Sequence, residues 1–323
     1  MRNIELRVGQ VSLLLDKKMI GTELNALLGK SKSDYHCKYS LIDVRTARLK
    51  LKGNHFARKP FVITTHSVRA NAGNTVIAAN LAASLAWMGF RVLVIDGDSC
   101  GDLSRAVRSP VENKRATNIV SIIQGAPLER AIIPIYNDGM LDLISSSPDL
   151  SDADIELSLR VTSTNLFLDW VISNTQYLID TYDIILVDTC SYPTRLTLNL
   201  LAGAKLILGV VRFGDEAPSD ARAIKRNMEI IRETQGVSLP PALYVVNGLP
   251  PASPQAQNII MSLVEQHSSA LCEVIIPEYA HKKCDCHSIG IIAEREPSSY
   301  AAQCFFELAK YIVRRYIETP HNA

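Results

Sequence analysis

The chain has 323 residues and a mass of 35.6 kDa, with 47% hydrophobic and 21% charged residues and a net charge of +1. That balance supports a large core and excludes a disordered regulator, a collagen-like chain and a low-complexity array. No run of about 18 apolar residues occurs, which excludes a spanning helix.

The first ten residues, MRNIELRVGQ, lack the apolar centre of a secretory signal. Seven scattered cysteines without an export signal point to a reducing compartment, so a cytoplasmic protein is expected. Residues 1–60 hold 13 Lys/Arg against 5 Asp/Glu, while the remainder holds 21 against 28. This asymmetry predicts a basic N-terminal extension over residues 1–58, with nonspecific DNA or an acidic partner as its anionic contact. A solvated extension that contacts nothing is the alternative. Within it, residues 3–15 are apolar-rich, Thr22–Leu28 has a helical pattern, and Tyr39–Leu51 mixes apolar and basic residues.

From residue 59 the pattern changes. Phe61–Thr65 is a short buried-type strand, residues 68–75 form a turn-rich loop, and Val76–Met88 is an Ala-rich helix closed by Gly89. Strands follow at Arg91–Ile95, Leu141–Ile144, Asp183–Val187, Leu206–Val211, Ala242–Val246 and Cys272–Ile276. Helices are expected at Asn165–Asp180, Pro218–Gln235, Pro254–Ala270 and Ser298–Ile317. Apolar strands alternating with helices predict an α/β fold, doubly wound, with a mostly parallel sheet and helices on both faces. Asp96, Asp98 and Asp188, at strand C-terminal ends, then lie on the ligand-binding rim.

A strand, loop and helix over residues 61–88 is the setting of a phosphate-binding loop, whose pattern is G-x-x-x-x-G-K-[ST]. Residues 68–75 read VRANAGNT, in which only Gly73 and Thr75 fit. The wider context carries more. The stretch THSVRANAGNTVIAANLAASLAWMGFRVLVIDGD resembles the deviant Walker A region of the ParA/MinD family of P-loop ATPases. Asn80-Leu81-Ala82 and the strand ending in Asp96-Gly97-Asp98 match its later elements. So do residues 117–133, LDLISSSPD at 141–149, YDIILVDTCSYPTRLTLNLL at 182–201, Val245–Asn247, Ile276-Pro277-Glu278 and the closing helix at 296–312. The resemblance covers residues 60–317 and makes 59–323 one P-loop NTPase domain.

The resemblance implies an ATPase that pairs around two ATP molecules and positions plasmids, chromosomes or large assemblies. By position, Thr75 would ligate Mg²⁺ and Asp188 would hold it through water. Asp98 would orient the attacking water, and Asn247 would bind the adenine edge, with Pro277, Glu278 and Tyr279 covering the base. Ala70, Asn71, Ala72, Gly73, Asn74, Thr75 and Val76 would wrap the phosphates.

The departures fall where the chemistry is. The signature lysine that crosses to the partner's phosphates aligns with Arg69, and the phosphate-bridging lysine aligns with Asn74. Ala70 and Asn71 replace a glycine pair. A neutral amide cannot supply the cation on which phosphoryl transfer relies, and a charged hydrogen bond is worth about 1.5–3 kcal/mol. Arginine retains charge but is bulkier and planar. The expected site therefore binds ATP and Mg²⁺ weakly and hydrolyses slowly or not at all. The expected function is a degenerate partition or positioning protein, acting as a nucleotide-binding or scaffold module. It would pair with itself or with an active relative and bind a partner protein or cargo. The alternatives are a competent ATPase with a lysine supplied from Lys17, Lys18, Lys30 or Lys32, and an amide-forming biosynthetic relative.

Weaker signals remain. Cys284, Cys286 and His287, with His281 nearby, have C-x-C-H spacing without a second ligand pair, so a non-metal role is expected. Arg222 and Arg226 share a helix face that Glu216, Asp220 and Glu229 balance. The last helix has the pattern of a core helix, and no membrane role is expected.

Overall fold

The computed structural model describes residues 1–30, 38–53, 59–107, 118–123, 126–152, 155, 171–173, 175–235, 238, 240–278 and 290–318. Its main sheet has eight strands: β3 (Phe61–His66), β4 (Val92–Gly97), β5 (Ile132–Pro134), β6 (Leu141–Ile144), β7 (Ile184–Thr189), β8 (Leu206–Arg212), β9 (Ala242–Leu249) and β10 (Ile276–Pro277). Their order is β10-β9-β8-β3-β7-β4-β6-β5, and every pair is parallel except β5 with β6. This is the expected doubly wound architecture.

The strands are apolar on both faces because both faces are covered. Ile63, Val94, Leu186, Leu208 and Val245 enter one core cluster. Their neighbours Val62, Leu93, Ile185 and Val187 enter a second, and Ile207, Tyr244 and Val246 a third. The period of two thus divides one run of hydrophobic residues between two layers.

Helix α4 (Asn74–Trp87) lies at the centre of the first layer, and every residue in it except Thr75 is buried. A helix that is apolar all round is a buried one, and its alanines let neighbouring elements approach. The C-terminal helix Tyr300–Ile312 packs along it, starting where Ser299 Oγ accepts from the Ala302 amide at 3.2 Å.

Three strand expectations shift. The strand expected at Cys272–Ile276 contracts to Ile276–Pro277, with only a bridge from Leu271 to Tyr244 before it. Strand β5 was not expected. It is three residues long, antiparallel and at the sheet edge, and Pro134 suits an edge that needs no amide there. Asp96 does not lie on the rim. It is fully buried and accepts from the Ser104 amide at 2.8 Å, the Ser104 hydroxyl at 2.6 Å and the Asp98 amide at 3.2 Å. Of the helix expected at Asn165–Asp180, residues 165–170 and 174 lie outside the described residues, and Gln176–Thr181 is helical.

Residues 1–52 pack on the same core as the sheet. Strands β1 (Glu5–Leu6) and β2 (Tyr39–Ser40) pair antiparallel, beside α1 (Val8–Leu14), α2 (Gly21–Leu28) and α3 (Leu41–Lys52). Leu6, Val11, Leu24, Tyr39, Val44 and Ala47 are buried in the cluster that holds α4. Six of the basic side chains here form ion pairs: Arg2 with Glu294, Lys30 with Asp43, Lys38 with Glu5, Arg45 with Asp183, and Arg48 and Lys52 with Glu318. The Arg48 guanidinium also stands 3.9 Å from the Phe90 ring centroid. Much of the positive charge that the sequence concentrates here is therefore matched by acids of the sheet domain and of the segment itself.

Candidate functional site

At the C-terminal end of the sheet, a cavity of about 540 Å³ is bounded by three loops: residues 67–73 before α4, residues 98–102 after β4, and residues 189–194 after β7. Arg69, Ala70, Asn71, Ala72, Gly73, Asn74, Thr75, Val76 and Asp98 all line it. The switch from strand to helix demands left-handed backbone at Asn71 (φ 60°) and at Gly73 (φ 100°). Asparagine tolerates that region best after glycine, so the substituted loop keeps a compatible residue at the strained position. Ala70 has no positive φ.

The first hydrogen bond of α4 runs from the Ile77 amide to Gly73 O at 2.9 Å. The amides of Asn74, Thr75 and Val76 precede it and have no intrahelical acceptor, which makes the helix start an anion cradle. Behind them, Thr75 Oγ1 donates to Asp188 Oδ2 at 2.8 Å, and Thr65 Oγ1 donates to Asp188 Oδ1 at 2.9 Å. Like Asp96, Asp188 does not lie on the expected rim: it is buried behind the cavity and does not line it, and its pKa is pushed up to about 8, first by burial and then by the charge of Asp96. Hydroxyl and carboxylate oxygens side by side are the donor set of a hard divalent cation, so these two residues fit Mg²⁺. Asp98 stands on the opposite loop, its Oδ1 accepting from the Cys100 amide at 2.9 Å.

The cationic side differs. Asn74 is more than nine-tenths buried; its Nδ2 donates to Thr189 O at 3.2 Å, and its Oδ1 has no hydrogen-bond partner. Arg69 Nε donates to both Asp220 carboxylate oxygens, at 2.7 and 2.9 Å, and its guanidinium also pairs with Glu216. Glu216 immediately precedes helix Ala217–Gln235 and Asp220 lies in its first turn. Among the described residues lining the cavity, Arg69 is the one cation, and two carboxylates hold it. Lys17 and Lys18 do not line the cavity, Lys30 pairs with Asp43, and Lys32 lies outside the described residues.

Asn247, Pro277 and Glu278 stand apart from the cavity wall. Asn247 is fully buried; its Nδ2 donates to Ala72 O at 2.7 Å, which ties β9 to the loop before α4, and its Oδ1 is unpartnered. Ile276 registers with Asn247, and the Glu278 amide donates to Leu249 O at 2.8 Å, so Pro277 and Glu278 lie one strand further out. Tyr279, His281, Cys284, Cys286 and His287 lie outside the described residues.

Several contributors were not singled out from the sequence. Ser67 Oγ and Ser191 Oγ each donate to Arg69 O, at 3.0 and 2.9 Å, so the two serines clamp one carbonyl of the cavity wall. His66 closes β3: its Nδ1 is 3.3 Å from Thr189 Oγ1 and its Nε2 is 3.3 Å from Asn227 Nδ2. The Thr189 hydroxyl donates to Thr65 O at 2.7 Å, so Nδ1 carries the ring proton, and Nε2 accepts from the Asn227 amide. A second ring proton would face an N–H donor. Burial accordingly holds His66 near a pKa of about 4, below its usual 6.5. Their only sequence signal was position at a strand end.

The His66 shift makes a prediction. The unfolded chain binds the proton that the folded chain refuses between pH 6.5 and about 4. His66 therefore removes stability as pH falls through that window, by about 3 kcal/mol in total at its lower end. Denaturant unfolding of His66→Gln should show a shallower acid limb than the parent. Equal slopes would mean that His66 is protonated in the folded chain.

Comparison with known proteins agrees with this fold. A family model described as an AAA domain matches residues 62–239. The chromosome-partitioning ATPase Soj of Thermus thermophilus is 27% identical over 251 residues, 77% of this chain and 94% of that protein. The chromosome partitioning protein ParA of Myxococcus xanthus is 24% identical over 266 residues, 81% of this chain and 90% of its own. Among solved structures, apo McdA of Cyanothece superposes with a TM-score of 0.65 at 16% identity, over 77% of this chain and 98% of that one. A Mycobacterium smegmatis cobyrinic acid a,c-diamide synthase with a bound ATP analogue and magnesium superposes at 0.64 and 16%, over 79% and 95%.

Proposed function

The chain belongs to the ParA/MinD family of P-loop ATPases, and from that premise we propose that it is a partition or positioning protein with a degenerate nucleotide site. The observation that carries this reading is the Asn74 side chain. It occupies the place of the phosphate-bridging lysine, brings no charge, and turns its donor to Thr189 O. Arg69 pairs with Asp220 and Glu216 in this conformation, so its charge is matched by acids and is turned away from the place of the missing cation. Mg²⁺ would sit by Thr75 and Asp188, with the phosphates over the amides of residues 74–76. Asp98 would hold a water but lack the charge opposite it. Asn247 would act behind the site, its Nδ2 holding Ala72 O of the loop that would wrap the phosphates. Hydrolysis is therefore slow or absent, and the protein acts in the cytoplasm as a nucleotide-responsive assembly module. It pairs with a second copy or an active relative and binds a partner or cargo. DNA contact through Lys17 and Lys18, basic side chains that form no ion pair among the described residues, is part of the same proposal.

Titration calorimetry of the full chain with ATP, with and without Mg²⁺, tests the reading. Micromolar-range binding that requires Mg²⁺, with turnover far below about 1 s⁻¹, the lower end of ordinary kcat values, is the expected result. Ordinary turnover that Asp98→Ala abolishes would overturn it in favour of a competent ATPase.

A further inference from the structure

The loops around the cavity are held in unequal ways. Residues 189–194 are bonded across the cavity wall to the segment around the loop before α4. Thr189 O accepts from Asn74 Nδ2 at 3.2 Å, the Thr189 hydroxyl donates to Thr65 O at 2.7 Å, and Ser191 Oγ donates to Arg69 O at 2.9 Å. Cys190 Sγ lies 3.1 Å from Thr197 Oγ1, and Thr194 Oγ1 accepts from the Thr197 amide at 3.1 Å, which fixes the far end to helix Arg195–Ala202. The start, middle and end of this loop are thus tied by the chain's own groups. Residues 98–102 are held differently. Among the described residues, no hydrogen bond or ion pair joins them to either of the other two loops. Their ties are local: the Cys100 amide to Asp98 Oδ1 at 2.9 Å, the Gly101 amide to Asp98 O at 2.9 Å, the Asp98 amide to Asp96 Oδ1 at 3.2 Å, and Arg105 to Cys100 O at 2.7 Å and to the Asp102 carboxylate. Gly101 has left-handed backbone (φ 67°), and a Cβ there would meet only the Arg105 guanidinium, at 3.7 Å, so little is packed against the turn. A segment with local bonds and few packed neighbours opens at low cost.

We infer that residues 189–194 are a fixed wall of the site and that residues 98–102 are its moving part, which closes on bound nucleotide. This deepens the proposed function and rests on its nucleotide reading, because it names the element through which binding changes the molecule. A ligand shifts a conformational equilibrium only through contacts that differ between the two states. Loop 98–102 has such contacts to offer. Ser99 lines the cavity, and its amide and hydroxyl make no hydrogen bond among the described residues, so two donors on this loop are open to a ligand. The hydroxyls of Thr189, Ser191 and Thr194 are already bonded to Thr65, Arg69 and Thr197. A nucleotide that met them would have to break those bonds first, and so gains nothing by moving that loop.

The test is nitrogen-15 relaxation of the full chain, read as backbone order parameters and relaxation dispersion. It is run without nucleotide and with Mg²⁺ and a non-hydrolysable ATP analogue, with binding followed by calorimetry on the same samples. Without nucleotide, residues 189–194 should show order parameters of about 0.85 and no dispersion, and residues 98–102 values of about 0.6 or lower, or millisecond dispersion. With nucleotide, residues 98–102 should rise toward about 0.85 while residues 189–194 stay as they were. Equal mobility of the two loops in the nucleotide-free chain would overturn the inference, as would ordering of residues 189–194 by the analogue. Calorimetric binding that leaves residues 98–102 unchanged would overturn it too, and in each of these cases the measured binding keeps the nucleotide reading. Residues 189–194 as rigid in an Asn74→Ala, Ser191→Ala double variant as in the parent would show that these ties do not hold the wall, which also overturns it. No calorimetric binding at millimolar analogue would overturn the nucleotide reading and, with it, the moving role of residues 98–102.

Discussion

Asp188→Asn is expected to make the metal-free protein more stable at pH 8 and to remove the Mg²⁺ dependence of nucleotide binding. Burial and the neighbouring Asp96 raise the Asp188 pKa from its usual 3.8 to about 8. The folded chain therefore holds a proton that the unfolded chain has released. Stability is lost as pH rises between those two values, with a slope approaching about 1.4 kcal/mol per pH unit. An asparagine is nearly isosteric, can still bond to the Thr65 and Thr75 hydroxyls, and never has to ionise. A gain of a few kcal/mol, or about 5 °C in Tm, is expected at pH 8. His66 acts in the opposite sense and only below pH 6.5, so the alkaline limb isolates Asp188. For function the sign reverses. Mg²⁺ must displace that proton, so parent affinity for Mg²⁺-nucleotide should climb as pH approaches 8, whereas the variant should show a flat and about 10–100-fold weaker response. A variant that is destabilised at pH 8 would show that Asp188 is ionised in the metal-free fold, and one that retains the pH-dependent Mg²⁺ response would assign that titration to another group.

Gly89→Ala should destabilise the protein by about 2–5 kcal/mol, and Gly29→Ala by only about 1–2. Both glycines have left-handed backbone, with φ of 88° and 74°. A Cβ at Gly29 would meet nothing within 4 Å, but at Gly89 it would stand 2.9 Å from the Arg45 Cα and amide nitrogen. Helix α3 thus rests directly on the turn that ends α4, and Arg45 secures the contact by donating to Gly89 O at 3.2 Å and pairing with Asp183. The difference between the two urea midpoints measures how tightly residues 41–52 hold the sheet domain. Equal effects would mean that α3 yields at no cost, and that residues 1–52 are a loosely attached extension.

The doubly wound fold, the helix after Gly73 and the Asp98 and Asp188 strand ends were legible in the sequence. Continuous β-branched runs of five or six residues alternating with longer helical patterns admit few other arrangements, because a strand apolar on both faces must be covered on both. The replaced glycine pair at Ala70 and Asn71 was legible as well, but only the structure shows that Asn71 alone takes the left-handed backbone. Local rules of this kind depend on neighbours a few residues away.

Other features needed the tertiary structure, because each depends on partners distant in the chain. Asp96 and Asp98 are two residues apart, yet one is sealed against Ser104 and the other faces the cavity. Arg69 was legible as a cation near phosphate; only the packing of Glu216 and Asp220 beside it shows that its charge is already matched. The basic excess of residues 1–60 suggested an exposed arm, but Arg45 and Arg48 meet Asp183 and Glu318, acids more than a hundred residues away. Hydrophobic periodicity specifies which residues leave water, and so the layers. The state of a charge or a buried amide is set by whatever the folded chain brings within hydrogen-bond reach, and no local pattern encodes that.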